Sequence, residues 1–312
     1  MKFDALLIVS FGGPEGMADV KPFLENVIRG KKISDERLLE VVNQYKIFNG
    51  VSPINKYCRE LKSLLEEKLD IPVYWGNRNW NPYIKDALEE MKTDGIKNAL
   101  AYITSAYGSY SGCRQYLENI ETARKEVTNA PSVARLPLFY QHPNFIQANV
   151  ENIQEQLNTI SYPERAKVHL VFTAHSIPIS MSQTSPYVEQ LKITCNLVAQ
   201  KLDIASWKLV FQSRSGHPHT PWLEPDIGDY FKQISSEKKW VVVSPIGFVS
   251  DHMEVICDLD VLAKNISKDV GIQMLRAKTV GNHPLIIGMI VDMVKKGEVF
   301  CCTPGCCPSL TS

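Results

Sequence analysis

The sequence predicts an α/β protein in which one architecture, a parallel sheet covered by helices, occurs twice. Short apolar runs rich in β-branched residues alternate with longer amphipathic stretches, which is typical of parallel sheets flanked by helices. This alternation runs through both halves of the chain. The length of 312 residues is enough for two domains of roughly 150 residues, each with its own core.

Six apolar runs have the length of buried strands and are bounded by polar or turn-forming residues. They lie at residues 5–10, 73–75 and 99–104 in the first half and at 168–173, 208–212 and 240–245 in the second. Segments with helical periodicity lie between and after them, at residues 57–69, 82–94, 113–127, 187–202 and 284–296. Strands separated by helices predict parallel pairing in both halves.

The two halves meet at a polar segment near residues 155–165, which contains Ser161 and Pro163. We place a domain boundary there because turn-forming residues interrupt the helical pattern. The predicted regions are an N-terminal lobe (1–160), a C-terminal lobe (161–283), a helix that packs back on the N-terminal lobe (284–296) and a cysteine-rich tail (297–312).

Charge and hydropathy patterning predict no nucleic-acid partner and no transmembrane segment. Lys plus Arg and Asp plus Glu each number 34, so the formal net charge is zero and no overall field attracts nucleic acid or an acidic membrane. The first ten residues have the pattern of a buried strand and not of a secretory signal. No apolar run approaches the roughly 18–20 residues that a membrane span needs. We therefore expect a cytoplasmic protein with no transmembrane segment.

Cysteine is the unusual component of the composition. Four of the eight cysteines lie within the last twelve residues, at Cys301, Cys302, Cys306 and Cys307. In a reducing compartment, clustered cysteines indicate a metal or an iron–sulfur cluster more often than disulfides. The Gly and Pro residues among them supply turns that suit ligation of a cluster.

Loops that follow the predicted strands carry many polar and aromatic side chains. Residues 75–80 hold two indoles and an arginine, and residues 105–116 combine small residues with several tyrosines. Aromatic rings stack on planar ligands, and a guanidinium pairs with carboxylates. These loops predict a binding surface for a flat aromatic ligand that bears carboxylates.

His175 is the strongest single candidate for chemistry. It follows a buried apolar strand, where a neutral imidazole at the sheet edge can accept a proton or ligate a metal. Glu254 and Asp258 follow another strand with i, i+4 spacing, so we expect both carboxylates on one helical face. Two like charges favour a proton or cation between them. Imidazole plus carboxylate, with open positions, suits a divalent metal that must exchange.

These segments together resemble the ferrochelatase family, in the form found in actinobacteria and related bacteria. The resemblance spans essentially the whole chain and rests on the strings LLIVSFGGPE, GVSPIN, VYWGNRNW, TSAYGSYSGCRQY, VFTAHSIP, LVFQSRSG, PWLEPD and PIGFVSDHMEVICDLD. It implies a chelatase-like fold of two Rossmann-like lobes with the active-site cleft between them. It also implies an enzyme of heme biosynthesis that inserts Fe²⁺, its substrate metal, into a porphyrin. The actinobacterial character favours coproporphyrin III, whose four propionates suit loops rich in Arg and Tyr.

Matching of motifs implies which residues carry the reaction. The family's metal-site histidine falls on His175 and its acid on Glu254, and we expect this pair to bind iron and His175 to accept pyrrole protons. His252 and Asp258 match the rest of an acidic helix that passes protons or iron. This chain differs from some firmicute relatives at Phe11. Those relatives have a tyrosine at this position that can approach the metal. No axial phenolate is therefore expected.

The same matching implies contacts to the propionates of the porphyrin at Ser52, Tyr116 and Arg29. Ser52 also precedes Pro53 at a predicted helix start, where its hydroxyl can cap the helix or bind a ligand carboxylate. The two roles of Ser52 are compatible.

The resemblance also implies a 2Fe-2S cluster. Cys113, in the string SGCRQY, matches an internal ligand, and the other ligands of the family's cluster come from the carboxyl terminus. The tail offers four cysteines for three places, and we assign Cys302, Cys306 and Cys307, with Cys301 as the spare. Because two of these residues are adjacent, the choice of three stays open.

Three alternatives remain at this point. Protoporphyrin IX is the rival substrate. A cobalt or nickel chelatase acting on a sirohydrochlorin-type ring is the rival enzyme, although such relatives commonly carry a second histidine where Glu254 stands. A non-catalytic tetrapyrrole carrier is the rival of another class and would not need the series from Glu254 to Asp258. Transient contact with neighbouring heme-pathway enzymes is expected, and a nucleic-acid partner is not.

Overall fold

The computed structural model describes residues 3–29, 35–214, 219–235, 239–302 and 305–309. Two four-stranded sheets form its centre. The strands of the first sheet are β1 (Ala5–Ser10), β2 (Val73–Asn77), β3 (Asn98–Ile103) and β4 (Ser132–Arg135), in the order β2-β1-β3-β4. Those of the second are β5 (His169–His175), β6 (Trp207–Gln212), β7 (Trp240–Ser244) and β8 (Gln273–Arg276), in the order β6-β5-β7-β8. All neighbouring strands are parallel, which confirms the predicted fold class.

Helices connect the strands and cover both sheets. They are α1 (Met17–Val27), α2 (Asp35–Ile47), α3 (Ile54–Glu66), α4 (Ile84–Thr93), α5 (Gln115–Glu126), α6 (Pro143–Leu157), α7 (Tyr162–Arg165), α8 (Ile179–Gln183), α9 (Tyr187–Lys201), α10 (Ile227–Ile234), α11 (Met253–Ile256), α12 (Lys264–Asp269) and α13 (Pro284–Lys296). Two further segments are π-helical, Tyr110–Arg114 before α5 and Cys257–Ala263 between α11 and α12. No helix in the described ranges is long and apolar enough to cross a membrane.

The six predicted strands are all present, with ends that differ by at most two residues. The structure adds the strands β4 and β8, which the apolar pattern does not reveal because they are short and carry polar residues at both ends. The predicted helix at 113–127 is wrong at its start, since Cys113 lies in the π-helical turn that precedes α5. Hydrophobic periodicity does not distinguish a π turn from an α turn.

The last helix, α13, has the predicted bounds. It begins with Pro284 in its first turn and ends at Gly297, whose φ of 65° is the left-handed conformation common at helix C-termini. It packs against α6 and α3, near the first sheet. The division into lobes at residues 160 and 283 stays a prediction, and residues 303, 304 and 310–312 of the predicted tail lie outside the described residues.

The strand order of each sheet identifies where a ligand would bind. The chain places β2 and β3 on opposite sides of β1, and β6 and β7 on opposite sides of β5. In open parallel sheets, ligands bind at the carboxyl ends of the strands beside such a reversal of order. Phe11 follows β1 and His175 ends β5, so both residues stand at these positions.

Candidate active site

His175 and Glu254 come together at the carboxyl edge of the second sheet. His175 is the last residue of β5, and Glu254 lies in α11, beyond the loop that follows β7. Nε2 of His175 lies 3.5 Å from Oε2 of Glu254, and the two side chains are 34% and 37% exposed. Gly247 of the intervening loop allows the close approach, because a Cβ there would lie 2.5 Å from Cβ of Ala174. An imidazole and a carboxylate are thus adjacent and accessible.

The backbone fixes how the His175 ring presents its nitrogens. Nδ1 lies 2.5 Å from the carbonyl oxygen of Ser176. Because a carbonyl only accepts, Nδ1 carries the hydrogen, and the lone pair of the neutral ring is on Nε2. Nε2 therefore directs electron density at the Glu254 carboxylate. Two such groups repel unless a proton or a metal cation lies between them, so the arrangement favours uptake of a cation.

The electrostatic surroundings of His175 also favour a positive charge on its ring. Burial opposes the charged imidazole, but the hydrogen bond and charge of Glu254, the carbonyl of Ser176 and the charge of Asp258 outweigh it and raise the pKa of His175. The surroundings of His175 therefore favour its protonated form.

Asp258 lies close to Glu254 but not on the α-helical face that the i, i+4 spacing predicts. Glu254 is in α11, whereas Asp258 is in the π-helical segment Cys257–Ala263. Burial and the charge of Glu254 raise the pKa of Asp258 to about 6. The carboxylates are thus near enough to oppose each other's ionisation, and π turns inside helices are frequent at functional sites.

Two polar residues that the sequence does not identify hold Asp258 in place. Oδ2 of Asp258 accepts hydrogen bonds from Nε2 of Gln212 at 3.3 Å and from the hydroxyl of Ser213. Gln212 is the register partner of His175 across β5 and β6. Both β5 and β6 end in a polar residue, and aligning the two sequences at that residue would have placed Gln212 beside His175.

His252 is the N-cap residue of α11, two positions before Glu254. Its ring meets Phe248 edge-on, with centroids 5.4 Å apart. Burial lowers the pKa of His252, and the charge of His175 adds to this effect although Glu254 and Asp251 oppose it. His252 is therefore a neutral imidazole beside the carboxylate series.

Ser52 serves a helix other than the one expected from the sequence. The N-cap of α3 is Pro53, and no side chain caps that helix, so the prediction that Ser52 caps it is wrong. Instead, Oγ of Ser52 accepts a hydrogen bond from the backbone N–H of Met253 at 3.2 Å. Met253 is the first residue of α11, whose own N-cap residue makes no side-chain hydrogen bond. Ser52 is 3% exposed at this position.

The predicted propionate partners differ in their surroundings. Tyr116 is buried, and its ring lies under the guanidinium of Arg78 with its centroid 4.6 Å from Cζ. Arg78 also lies 5.7 Å from the ring centroid of Phe11 and donates to Asn119 at 2.7 Å. Arg29 is exposed beyond the end of α1. Ser52 and Tyr116 are therefore buried among protein partners, whereas Arg29 is exposed and donates to Oδ1 of Asn26.

The loop 105–116, which the sequence predicts to be a binding surface, is partly a structural bridge between the two sheets. Tyr107 is 2% exposed, and its hydroxyl donates to the carbonyl of Ile246 at 2.9 Å. The N–H of Gly108 donates to the side chain of Gln190 at 2.7 Å. For Tyr107 the predicted surface role is wrong, because the phenol joins the core instead.

The structure gathers Cys113 and the tail cysteines. Burial raises the pKa of Cys302 to about 11 and of Cys307 to about 12, and the charges of Cys113 and Cys306 act in the same direction on both thiols. The Sγ atoms of Cys306 and Cys307 lie 3.5 Å apart. Cys301 is exposed, and all eight cysteines are free thiols.

Crowded thiols of this kind fit a positively charged group. Each thiolate opposes the ionisation of the next, and a bound metal removes that penalty. The described part of the chain contains no set of three or more His, Cys, Asp or Glu side chains in metal-binding geometry. Neither the thiols nor the pair of His175 and Glu254 is therefore a preformed metal cage.

Comparison with known proteins places these features in context. A family model described as Ferrochelatase matches residues 3–298. A ferrochelatase from Rhodopirellula baltica is 49% identical over 303 residues, which cover 94% of this chain and 86% of the relative. A coproporphyrin III ferrochelatase from Streptomyces griseus is 42% identical, with 98% of this chain and 94% of the relative covered.

Solved structures show the same fold at low sequence identity. SirB from Bacillus subtilis with Fe³⁺ has a TM-score of 0.60 and 10% identity, with 95% of each chain covered. CbiX, described as the terminal enzyme for biosynthesis of siroheme in denitrifying bacteria, has a TM-score of 0.55 and 16% identity, with 94% and 98% covered. At these identities the likeness concerns the fold alone.

Proposed function

The chain belongs to the ferrochelatase family, and we propose that it inserts Fe²⁺ into coproporphyrin III to give Fe-coproporphyrin III with release of two protons. The observation that carries the proposal is the lone pair of His175 Nε2 directed at the Glu254 carboxylate 3.5 Å away. Relatives named coproporphyrin III ferrochelatase, at 42% identity over nearly the whole chain, support the choice of porphyrin.

The proposed reaction exchanges one dication for two protons. A free-base porphyrin has two pyrrole N–H groups, and both hydrogens must leave as protons when the ring nitrogens bind Fe²⁺. We assign the acceptance of these protons, one at a time, to Nε2 of His175, because Nδ1 is held by the carbonyl of Ser176. The single lone pair of Nε2 holds one proton, so His175 passes the first proton on before it accepts the second. Glu254 stabilises the resulting imidazolium and, with His175, forms the site at which iron enters.

We assign the onward path of protons or iron to Asp258 and His252. Asp258 has a pKa of about 6, so it takes and releases protons close to neutral pH. His252 stands at the start of α11, directly before the π-helical segment that carries Asp258, and burial lowers its pKa. Both groups interact with the charge of Glu254, which supports a continuous series of exchangeable groups.

Arg29, Ser52 and Tyr116 are the proposed partners of the porphyrin's propionates. The exposed guanidinium of Arg29 is free to turn from Asn26, its partner at 2.6 Å, towards a carboxylate. Ser52 and Tyr116 are buried, so their contact with a propionate requires the helices around them to open.

The test of function is an anaerobic insertion assay. We expect Fe²⁺ to enter coproporphyrin III faster than protoporphyrin IX, because the two extra propionates add charged contacts. Equal rates on the two porphyrins would remove the preference for coproporphyrin III. Co²⁺ or Ni²⁺ insertion into a sirohydrochlorin-type ring in place of iron insertion would favour the rival chelatase. Porphyrin binding without insertion of any metal would favour the carrier.

We further propose a 2Fe-2S cluster held by Cys113, Cys302, Cys306 and Cys307. Burial raises the pKa of Cys302 and of Cys307, and the charges of the neighbouring cysteines add to this effect. Such a cluster supplies one-electron redox chemistry when it is bound. Cys113 and Cys307 are buried, and Cys302 and Cys306 are half-buried. The electrostatic influence of Cys113 on Cys302 and Cys307 supports a site between the tail and the π-helical turn that contains Cys113. Eight free thiols are consistent with the proposed location in the reducing cytoplasm, where contact with other heme-pathway enzymes would be transient.

The cluster is tested by its visible absorption and electron paramagnetic resonance signal in protein purified without oxygen. We expect Cys302→Ser, Cys306→Ser, Cys307→Ser and Cys113→Ser to lose the signal. Cys301→Ser is the matched control, because Cys301 is exposed in the same tail. Colourless wild-type protein with full iron insertion would contradict the cluster.

A further inference from the structure

Arg135, the last residue of β4, is a buried cation. It is 4% exposed, and among the described residues no Asp or Glu side chain forms an ion pair with it. Nε donates to the carbonyl of Leu136 at 3.2 Å, whereas Nη2 is buried with no hydrogen-bond partner in the described chain. A guanidinium stays protonated in proteins, and an unpaired buried charge is costly. A negatively charged group beside Arg135 would therefore offset the cost of its buried charge.

Cysteines beside Arg135 can supply negative charge. Nη1 of Arg135 lies 4.0 Å from Sγ of Cys302. Cys113 and Arg135 line the same small cavity, of about 10 Å³. Cys306 and Cys307 lie close to Cys302, as their mutual electrostatic influence shows. Thiols that bind a metal do so as thiolates, so a loaded site is anionic where Arg135 is cationic.

Arg135 also holds the tail. The ring of Phe300 covers the guanidinium, with its centroid 4.8 Å from Cζ, and the N–H of Phe300 donates to the carbonyl of Arg135 at 3.0 Å. Arg135 is thus both a cation beside the thiols and a docking point for the segment that carries three of them. A test must separate these two roles.

We propose that Arg135 is the counter-cation of the cysteine site and that its charge stabilises the reduced form of the bound cluster. Because the cluster is itself proposed above, the role of Arg135 rests on that proposal. Uptake of one electron makes the cluster and its thiolates more negative by one charge, and a buried cation nearby favours the more negative state. Net charge and hydrogen bonds to the sulfurs are established determinants of the potential of such clusters.

The experiment is a reductive titration of anaerobically purified full-length protein with dithionite as the electron donor, followed by electron paramagnetic resonance. The variants are Arg135→Met, which removes the charge, and Arg135→Lys, which keeps it. Phe300→Leu is the control for tail docking, because it removes the ring but leaves the guanidinium. Arg124→Met is the control for net charge, because Arg124 lies on α5 and pairs with Glu121.

We expect Arg135→Met to shift the one-electron equilibrium towards the oxidised cluster at least tenfold. This shift corresponds to a reduction potential that is about 59 mV more negative than that of the wild type. The other three variants should keep a potential close to that of the wild type. If Arg135→Met fails to hold a cluster while Arg135→Lys and Phe300→Leu hold it, the charge requirement is supported.

Three results would overturn the role of Arg135. The first is an unchanged reduction potential in Arg135→Met. The second is loss of the cluster from Arg135→Lys as well as from Arg135→Met. The third is equal loss of the cluster from Arg135→Met and Phe300→Leu, which would mean that tail docking explains the whole effect. A wild-type protein with no cluster would instead overturn the cluster proposal, and this outcome is distinct because it needs no variant.

Discussion

The hydroxyl oxygen of Ser52 accepts a hydrogen bond from the backbone N–H of Met253, 201 residues further along the chain. The loop before α3 therefore caps the short helix that carries Glu254. Unsatisfied N–H groups at a helix start require such an acceptor, and α11 has none from its own N-cap residue. The position of Glu254 thus depends on a residue of the first half of the chain.

Replacing Ser52 by Ala should destabilise the protein, because the Met253 N–H loses its acceptor in a buried place. We expect the free energy of unfolding to fall by about 0.5–2 kcal/mol, the usual effect of losing a cap. Ser63→Ala on α3 is the control, since Ser63 is exposed. Chemical denaturation measures both, and equal stability of Ser52→Ala and Ser63→Ala would show that the cap is unimportant.

Replacing Glu254 by Gln should lower the pKa of His175. Burial disfavours the imidazolium, and the hydrogen bond and charge that overcome it come first from Glu254. Nuclear magnetic resonance titration of the His175 ring measures the change. Glu151→Gln, which alters a carboxylate beside His283, is the control and should leave the His175 pKa unchanged.

The same variant should show a pH-dependent loss of stability. A histidine whose pKa is raised by folding adds stability at pH values below its ordinary pKa, and this contribution disappears as the pH rises through the folded value. Glu254→Gln should therefore lose more stability at about pH 6 than at about pH 9. A loss that is equal at both pH values would contradict the coupling of Glu254 to His175.

Replacing Asp258 by Asn should stabilise the protein in a defined pH range. The pKa of Asp258 is raised from 3.8 to about 6, first by burial, so its ionisation opposes folding. The penalty grows as the pH rises from 3.8 to about 6 and is constant above. The unfolding free energy of Asp258→Asn should therefore rise relative to the wild type across this interval. A difference that is independent of pH would refute the raised pKa.

Replacing Arg29 by Ala should weaken binding of coproporphyrin III more than it slows insertion. A hydrogen bond to a charged group is worth about 1.5–3 kcal/mol, so loss of one propionate contact should raise KM roughly tenfold or more with little change in kcat. Arg29→Lys keeps the charge, so its KM should lie between those of the wild type and Arg29→Ala. Steady-state kinetics measure these values, and an unchanged KM in Arg29→Ala would remove Arg29 from the site.

The sequence predicts those parts of the fold that depend on local pattern. Strands β1 and β5 are buried along most of their length, so their apolar runs are visible without the structure. His175 could be placed at the sheet edge because a polar residue ends such a run. Strands β4 and β8 escape detection because they are only four residues long and carry polar residues at both ends, whereas the other two edge strands, β2 and β6, are longer and mostly buried.

Features of the site that depend on distant contacts could not be predicted. No local pattern links Ser52 to Met253, and nothing in the residues Cys257–Ala263 distinguishes a π turn from an α turn. Arg135 ends a polar edge strand, and its burial becomes evident only when its neighbours are known. Tertiary packing, and not propensity, determines all three.

The central claim is that His175 and Glu254 carry out metal insertion, and the most direct test is the anaerobic rate of Fe²⁺ insertion into coproporphyrin III by His175→Ala. General-base steps contribute about 10²- to 10⁴-fold, so kcat should fall at least about 100-fold while porphyrin still binds with near wild-type affinity. An insertion rate close to that of the wild type would contradict the assignment of proton acceptance to His175.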